Sequence, residues 1–229
     1  MELFEGKTQI TMKRIAFYGG SFDPLHNGHL TIARTLTEQF NLDEFVFVPA
    51  FHAPHKKEKR PTSASHRFAM IALATNDTPK IEVSKMELEL PERPYTVETL
   101  TRLKNELVDT QIFFVMGADS WREITTWREW EKVLTLVDII VVTRPDYEIG
   151  FTHVTDEIRA RIVDLRKSRE KKNKSQVPNH KSQIFITDSV QIDISATEIR
   201  QKIKENADDW QKEVPNEVAK YIEKYELYK

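Results

Sequence analysis

Two hydrophobic patterns alternate along the chain. Short, nearly continuous apolar runs occur at Ile15–Gly19, Glu44–Pro49, Ile81–Ser84, Gln111–Met116, Asp138–Thr143 and Gln183–Thr187. Runs of this length without polar alternation predict strands buried on both faces. Between them lie segments with helical spacing. Gly28–Phe40 is one, Ser65–Asn76 places Phe68, Met70, Ile71 and Leu73 at apolar positions, and Thr96–Leu107 does so with Val97, Leu100, Leu103 and Leu107. Ser195–Lys204 and Pro215–Tyr225 predict two closing helices. Strands alternating with helices predict βαβ units. The fold class is therefore α/β, a Rossmann-like parallel sheet flanked by helices with a small C-terminal helical part.

Two stretches depart from this alternation. Residues 1–12 carry little pattern and read as a flexible N-terminal extension to a single domain over residues 13–229. Asp146–Ser182 is a polar insertion in which Arg166–Lys174 sets six basic residues against one acid. Without interleaved aromatics it reads as a solvated helix and loop before the last core strand, not as an arm for nucleic acid.

Charge and composition narrow the function classes. Lys and Arg number 34 against 36 Asp and Glu, a net charge of −2 that gives no basic field for nucleic acid. The absence of cysteine excludes disulfides, thiolate catalysis and a cysteine-based zinc site. No apolar run reaches the roughly eighteen residues of a membrane helix, and the first residues lack the apolar core of a signal peptide. The expected location is the cytoplasm.

Candidate chemistry concentrates after the first strand, in Gly19-Gly20-Ser21-Phe22-Asp23-Pro24-Leu25-His26-Asn27-Gly28-His29-Leu30. A strand, a glycine-bearing turn and a helix start form an anion-binding corner, because free backbone N–H groups and the helix dipole face outward there. The imidazoles of His26 and His29, three residues apart, can converge on one anion beside the amides about Gly19, Gly20, Ser21 and Phe22. Asp23 is read as a structural residue of the turn. Asp119 follows the strand end at Met116-Gly117, where a hydrogen bond to a ribose or base, or a helix cap, is expected. Ser195, an N-cap position, lies within one turn of Thr197 and Arg200.

These motifs resemble the bacterial nicotinate-nucleotide adenylyltransferases, within the nucleotidyltransferases marked by a His-x-Gly-His or Thr-x-Gly-His signature. Gly19–Leu30 is similar to the signature turn, and Val48-Pro49 with Ala53-Pro54-His55-Lys56 to a second block. Met116-Gly117-Ala118-Asp119-Ser120, with Thr126-Trp127 and Trp130, resembles a third. Arg144-Pro145 and Ile194-Ser195-Ala196-Thr197-Glu198-Ile199-Arg200 resemble a strand end and a late phosphate-binding helix start. Val214-Pro215, Tyr221-Ile222 and Leu227-Tyr228 resemble the C-terminal ending. One element departs: the family's Ser-Tyr-Thr reads Pro94-Tyr95-Thr96 here, with Glu98 where aspartate is common.

The resemblance implies transfer of the adenylyl group of ATP to nicotinate mononucleotide, giving deamido-NAD and pyrophosphate. The nucleophile is already an anion, so catalysis reduces to aligning two polyanions and stabilising developing charge. The implied catalytic set is His26, His29 and Arg200. His55, Lys56, Asp119, Ser195 and Thr197 would join the ATP side. Tyr95, Thr96 and Trp127 would form the pyridine side, with Trp127 stacked on the ring and backbone amides near Thr96 and Trp127 holding the nicotinate carboxylate. Magnesium is expected with the ATP phosphates rather than in a protein metal site. The implied partners are ATP and the mononucleotide, without nucleic acid or membrane, and a homo-oligomer is compatible. Preference for nicotinamide mononucleotide, another small-phosphate nucleotidyltransferase and a non-catalytic nucleotide sensor stay open as alternatives.

Overall fold

The apolar runs become strands of one parallel sheet. In the computed structural model, which describes residues 12–51, 62–90, 92, 94–143, 148–166, 182–190 and 192–229, the strands are β1 (Lys13–Gly20), β2 (Glu44–Pro49), β3 (Ile81–Val83), β4 (Thr110–Gly117), β5 (Asp138–Val142), β6 (Ile162–Asp164) and β7 (Ile184–Thr187). Their order is β3-β2-β1-β4-β5-β7-β6, and every neighbouring pair is parallel. The helices are α1 (Asn27–Gln39), α2 (Ala64–Thr75), α3 (Thr96–Glu106), α4 (Ala118–Arg122), α5 (Trp130–Leu136), α6 (Asp156–Arg159), α7 (Ala196–Lys204) and α8 (Asn216–Lys224).

The central strands are buried on both faces, as their unbroken hydrophobicity requires. Alternate residues divide between two cores. Ile15, Phe17, Ile112, Phe114, Ile139 and Val141 pack with α3 and Trp121, whereas Ala16, Tyr18, Phe113, Val115 and Ile140 pack with α1. Each large side chain fully buried this way contributes about 1.5–3 kcal/mol. A third cluster joins α7 and α8 to Met70 of α2 through Ile199, Ile203, Trp210, Val218 and Ile222. That cluster is the C-terminal helical part.

Two expectations are corrected. The polar stretch before β7 contains α6 and the edge strand β6, which pairs with β7 through Ile162↔Ile184 and Val163↔Phe185. Three residues on a half-exposed edge leave too little periodicity to be seen. In α2, Leu73 is exposed and Phe68 half-buried, while Arg67 faces inward. The spacing 67, 70, 71 is the true inward stripe. The calls on residues 1–11, on His55 and Lys56, on Arg144-Pro145 and on the basic run beyond Arg166 lie outside the described residues.

Register sets the position of the site. Tyr18 is level with Val115, Gly117 with Val142 and Val142 with Thr187, so the carboxyl ends of β1, β4, β5 and β7 form one edge. The chain runs outward through β1, β2 and β3, then returns to place β4 on the other side of β1. That reversal opens a crevice above β1 and β4, where sheets of this kind bind ligands. The opposite edge is pinned by side chains, with Arg14 donating to Gln111 at 2.7 Å and Gln111 to Asp138 at 2.7 Å.

Candidate active site

At the carboxyl end of β1 the chain turns sharply into α1. Phe22 sits at φ 46°, in the left-handed region, and the Asp23–Pro24 peptide is cis. His26 is the extended N-cap of α1, and its carbonyl accepts the His29 N–H at 3.0 Å. The two imidazoles stack with centroids 3.6 Å apart. The stack lies close against Gly28: a Cβ there would stand 3.0 Å from His26 Nδ1, and the ring would have to yield to it. The His29 ring also meets Phe22 edge-on at 5.0 Å and Tyr18 at 6.1 Å. Its Nδ1 accepts the His26 backbone N–H at 3.3 Å. An imidazole nitrogen that accepts carries no proton, so this bond assigns the ring proton to Nε2.

The start of α7 is brought to this turn. Arg200 donates from Nη1 to the Asp23 carbonyl at 2.6 Å and from Nη2 to Thr197 Oγ1 at 3.3 Å. Ile192, just before α7, stands 3.6 Å from where a Gly28 Cβ would be. Ser195 occupies the N-cap of α7, as its sequence position predicts, but its side chain makes no capping hydrogen bond. His26, His29, Thr197 and Arg200 therefore share one corner with the amides about Gly20–Phe22.

The predicted pyridine side is built differently. Tyr95 is the N-cap of α3 and half exposed, at 52%. Trp127 ends a short 3-10 turn and is half-buried against the core below α3. Arg128 joins them, its guanidinium 4.6 Å from the Tyr95 ring centroid and 3.5 Å from Glu98. The expectation that amides here wait for a carboxylate needs correction. The Trp127 N–H is donated to the Ile124 carbonyl at 2.9 Å, and the Tyr95 N–H to Glu98 Oε2 at 2.9 Å. Glu98, at the third helical position, reaches back to the N-cap as a capping residue does. Asp119 is no N-cap, since Gly117 occupies that position; it lies exposed in the first turn of α4, 3.6 Å from Arg122.

Comparison with known proteins gives the family and the fold. A cytidylyltransferase-like family model matches residues 17–202. The chain is 37% identical over 220 residues to a probable nicotinate-nucleotide adenylyltransferase of Clostridium botulinum, covering 95% of this chain and 99% of the relative. A counterpart in Corynebacterium glutamicum is 32% identical over 216 residues, 94% of this chain and 88% of the relative. The chain belongs to the nicotinate-nucleotide adenylyltransferase family. In fold it resembles the Plasmodium falciparum nicotinic acid mononucleotide adenylyltransferase complexed with NaAD, with a TM-score of 0.70 and 22% identity over 94% of this chain and 97% of that one.

In this adenylyltransferase chain the residue that sequence reading overlooked is Arg67. It is 1% exposed, and burial pulls its guanidinium below the usual arginine range against the opposing pull of Asp23 and Tyr228. It donates to the carbonyls of Ser21 at 2.7 Å, Ala50 at 2.7 Å, Phe51 at 3.2 Å and Thr62 at 3.0 Å. One cation thus ties the signature turn to the loop after β2. Its i, i+3, i+4 relation to Met70 and Ile71 was the available signal. Trp121 was also passed over in favour of Trp127 and Trp130. It is fully buried and donates to the Gly150 carbonyl at 2.9 Å, so it is the core tryptophan of the three.

Proposed function

We propose that the corner formed by His26, His29, Thr197 and Arg200 binds the ATP phosphates, and that the rim at Tyr95, Thr96 and Trp127 receives nicotinate mononucleotide. The reaction is attack of the mononucleotide 5′-phosphate oxygen on the α-phosphorus of ATP. The bond between the α-phosphorus and its bridging oxygen breaks, and pyrophosphate leaves with the electron pair. No proton has to be removed from the nucleophile. The side chains need only hold two anions in line and hydrogen-bond the crowded phosphorus. His29 Nε2–H and the Arg200 fork are donors suited to that task.

The observation that carries this reading is the docking of Arg200 on the Asp23 carbonyl, in the signature turn that leads into His26 and His29. It brings residues 177 apart in sequence onto one anion-binding corner. The donors there suit anionic oxygens rather than a cation. The turn's carboxylate, Asp23, already accepts the Tyr228 hydroxyl and the Thr62 N–H. We therefore take ATP to enter as its magnesium complex, the ion held by phosphate oxygens and water. Cytoplasmic location belongs to the same reading; among the described residues no helix is long and apolar enough to cross a membrane.

Nicotinate and nicotinamide mononucleotide differ by a carboxylate against a carboxamide. With the Tyr95 and Trp127 amides engaged, discrimination falls to Thr96, the first residue of α3, at a helix N-terminus that favours an anion. A carboxamide can offer its oxygen to the Thr96 N–H but brings no charge to the helix N-terminus, a difference of about 0.3–1 kcal/mol at an exposed site and up to about 2 kcal/mol where partly buried. A side-by-side assay of pyrophosphate release should favour nicotinate mononucleotide by about tenfold in kcat/KM. Equal efficiency with both would refute this assignment, and no release with either would refute the transferase reading.

A further inference from the structure

Near the C-terminal end, α8 is followed by a turn that folds back over the signature turn. Tyr228 is half-buried there, and its hydroxyl donates to Asp23 Oδ1 at 2.7 Å across 205 residues of sequence. The other carboxylate oxygen of Asp23 accepts the Thr62 N–H at 3.2 Å. The Asp23 carbonyl accepts Arg200 at 2.6 Å. All three hydrogen bonds converge on one residue, three positions before His26. Burial pushes the Tyr228 hydroxyl well above the usual phenol range, so it remains a donor at any physiological pH. Asn27 adds a neighbouring tie, its side chain donating to the Lys212 carbonyl at 2.9 Å.

We propose that Tyr228 is a positioning residue for adenylyl transfer, acting through Asp23 to hold the signature turn and Arg200 at their working separation. Tyr228 grips the turn at the Asp23 carboxylate, the residue whose carbonyl accepts Arg200. A second tyrosine provides the contrast. Tyr221 of α8 shares a hydrogen bond of 2.9 Å with His66 Nδ1, and so bridges α8 to α2 without touching the turn. Tyr228 and Tyr221 thus each spend one hydroxyl on packing the C-terminal part, but only one of them grips the site.

The inference rests on the adenylyl-transfer reading, and its test separates the two. Tyr228→Phe and Tyr221→Phe are compared with the unmodified chain by pyrophosphate release from ATP and nicotinate mononucleotide. Thermal melting and hydrogen exchange of the amides from Ser21 to His26 are followed alongside. Tyr228→Phe should lower kcat about tenfold with both KM values within about twofold, and should speed exchange across the turn. Tyr221→Phe should match it in melting temperature while keeping kcat and turn exchange unchanged. Equal kcat for Tyr228→Phe and the unmodified chain would overturn the proposal. So would equal kcat losses in both variants, or loss of a cooperative melt in Tyr228→Phe, since the hydroxyl would then be holding the fold. Absence of pyrophosphate release by the unmodified chain would instead strike the transferase reading, and the exchange measurement needs no substrate.

Discussion

The proposed phosphate corner and the proposed pyridine rim lie on the same edge of one sheet, yet they are held in opposite ways. At the corner, Asp23 and His26 are each 7% exposed, and three elements distant in sequence are fastened to the turn by Arg67, Arg200 and Tyr228. At the rim, Tyr95, Glu98 and Arg128 are exposed and interact with one another through a cation–π contact and a loose ion pair. Exposed pairs of that kind contribute about 0–1 kcal/mol. On the proposed reading, the corner is preorganised for a charge distribution that exists only during transfer, and the rim is left free to adjust to a flat ring. Substitutions at the corner should therefore appear in stability and kcat, and those at the rim in KM.

Arg67→Met offers the strongest test of that division. It strands four carbonyl acceptors in a buried place, and such losses cost on the order of 3–5 kcal/mol. The melting temperature should fall by roughly 10 °C or more. A thermal scan showing no change would mean the corner is held by something else. His29→Ala should lower the melt by a few degrees, because the His26 N–H loses its acceptor, and lower kcat about a hundred- to thousandfold with little change in KM. Wild-type turnover would remove His29 from the chemistry.

Arg200→Lys comes next, with at least a tenfold fall in kcat/KM for ATP and unchanged circular dichroism, because an ammonium cannot span two oxygens as the guanidinium fork does. A kinetically silent lysine would make Arg200 a structural tie to Asp23 only. The smallest effect is expected at the rim. Trp127→Ala should raise KM for both mononucleotides about three- to tenfold, the worth of one aromatic contact, and leave ATP untouched. A defect confined to ATP would erase the distinction between the two regions.

Much of the sheet was legible because strands buried on both faces cannot hide their composition; Asp138–Thr143 admits hardly any other reading. The signature turn was legible for a similar reason, since glycine beside paired histidines leaves a local imprint. Arg67 was not, because an arginine on an amphipathic helix is ordinarily solvent-facing and nothing nearby in sequence announces four carbonyls waiting for it. Tyr228 was invisible as a site residue for the same reason, its partner lying 205 positions away. The strand β6 escaped through brevity. At the rim the wiring was not legible: that Glu98 would engage the Tyr95 N–H depends on where α3 begins, which periodicity fixes only to within a residue or two.

The contacts that complete the corner span 177, 185 and 205 residues. Loop closure grows only logarithmically with length, about 0.6 kcal/mol for each doubling. Against closing a loop a quarter as long, the longest of these ties gives up little more than about 1 kcal/mol. The cost falls instead on the order of events. The sheet from β1 to β5 can assemble from shorter-range pairings, whereas the corner must wait until chain from both ends has arrived. During folding, then, this protein has a core before it has a place to bind a nucleotide, and on gentle unfolding it should lose that place first.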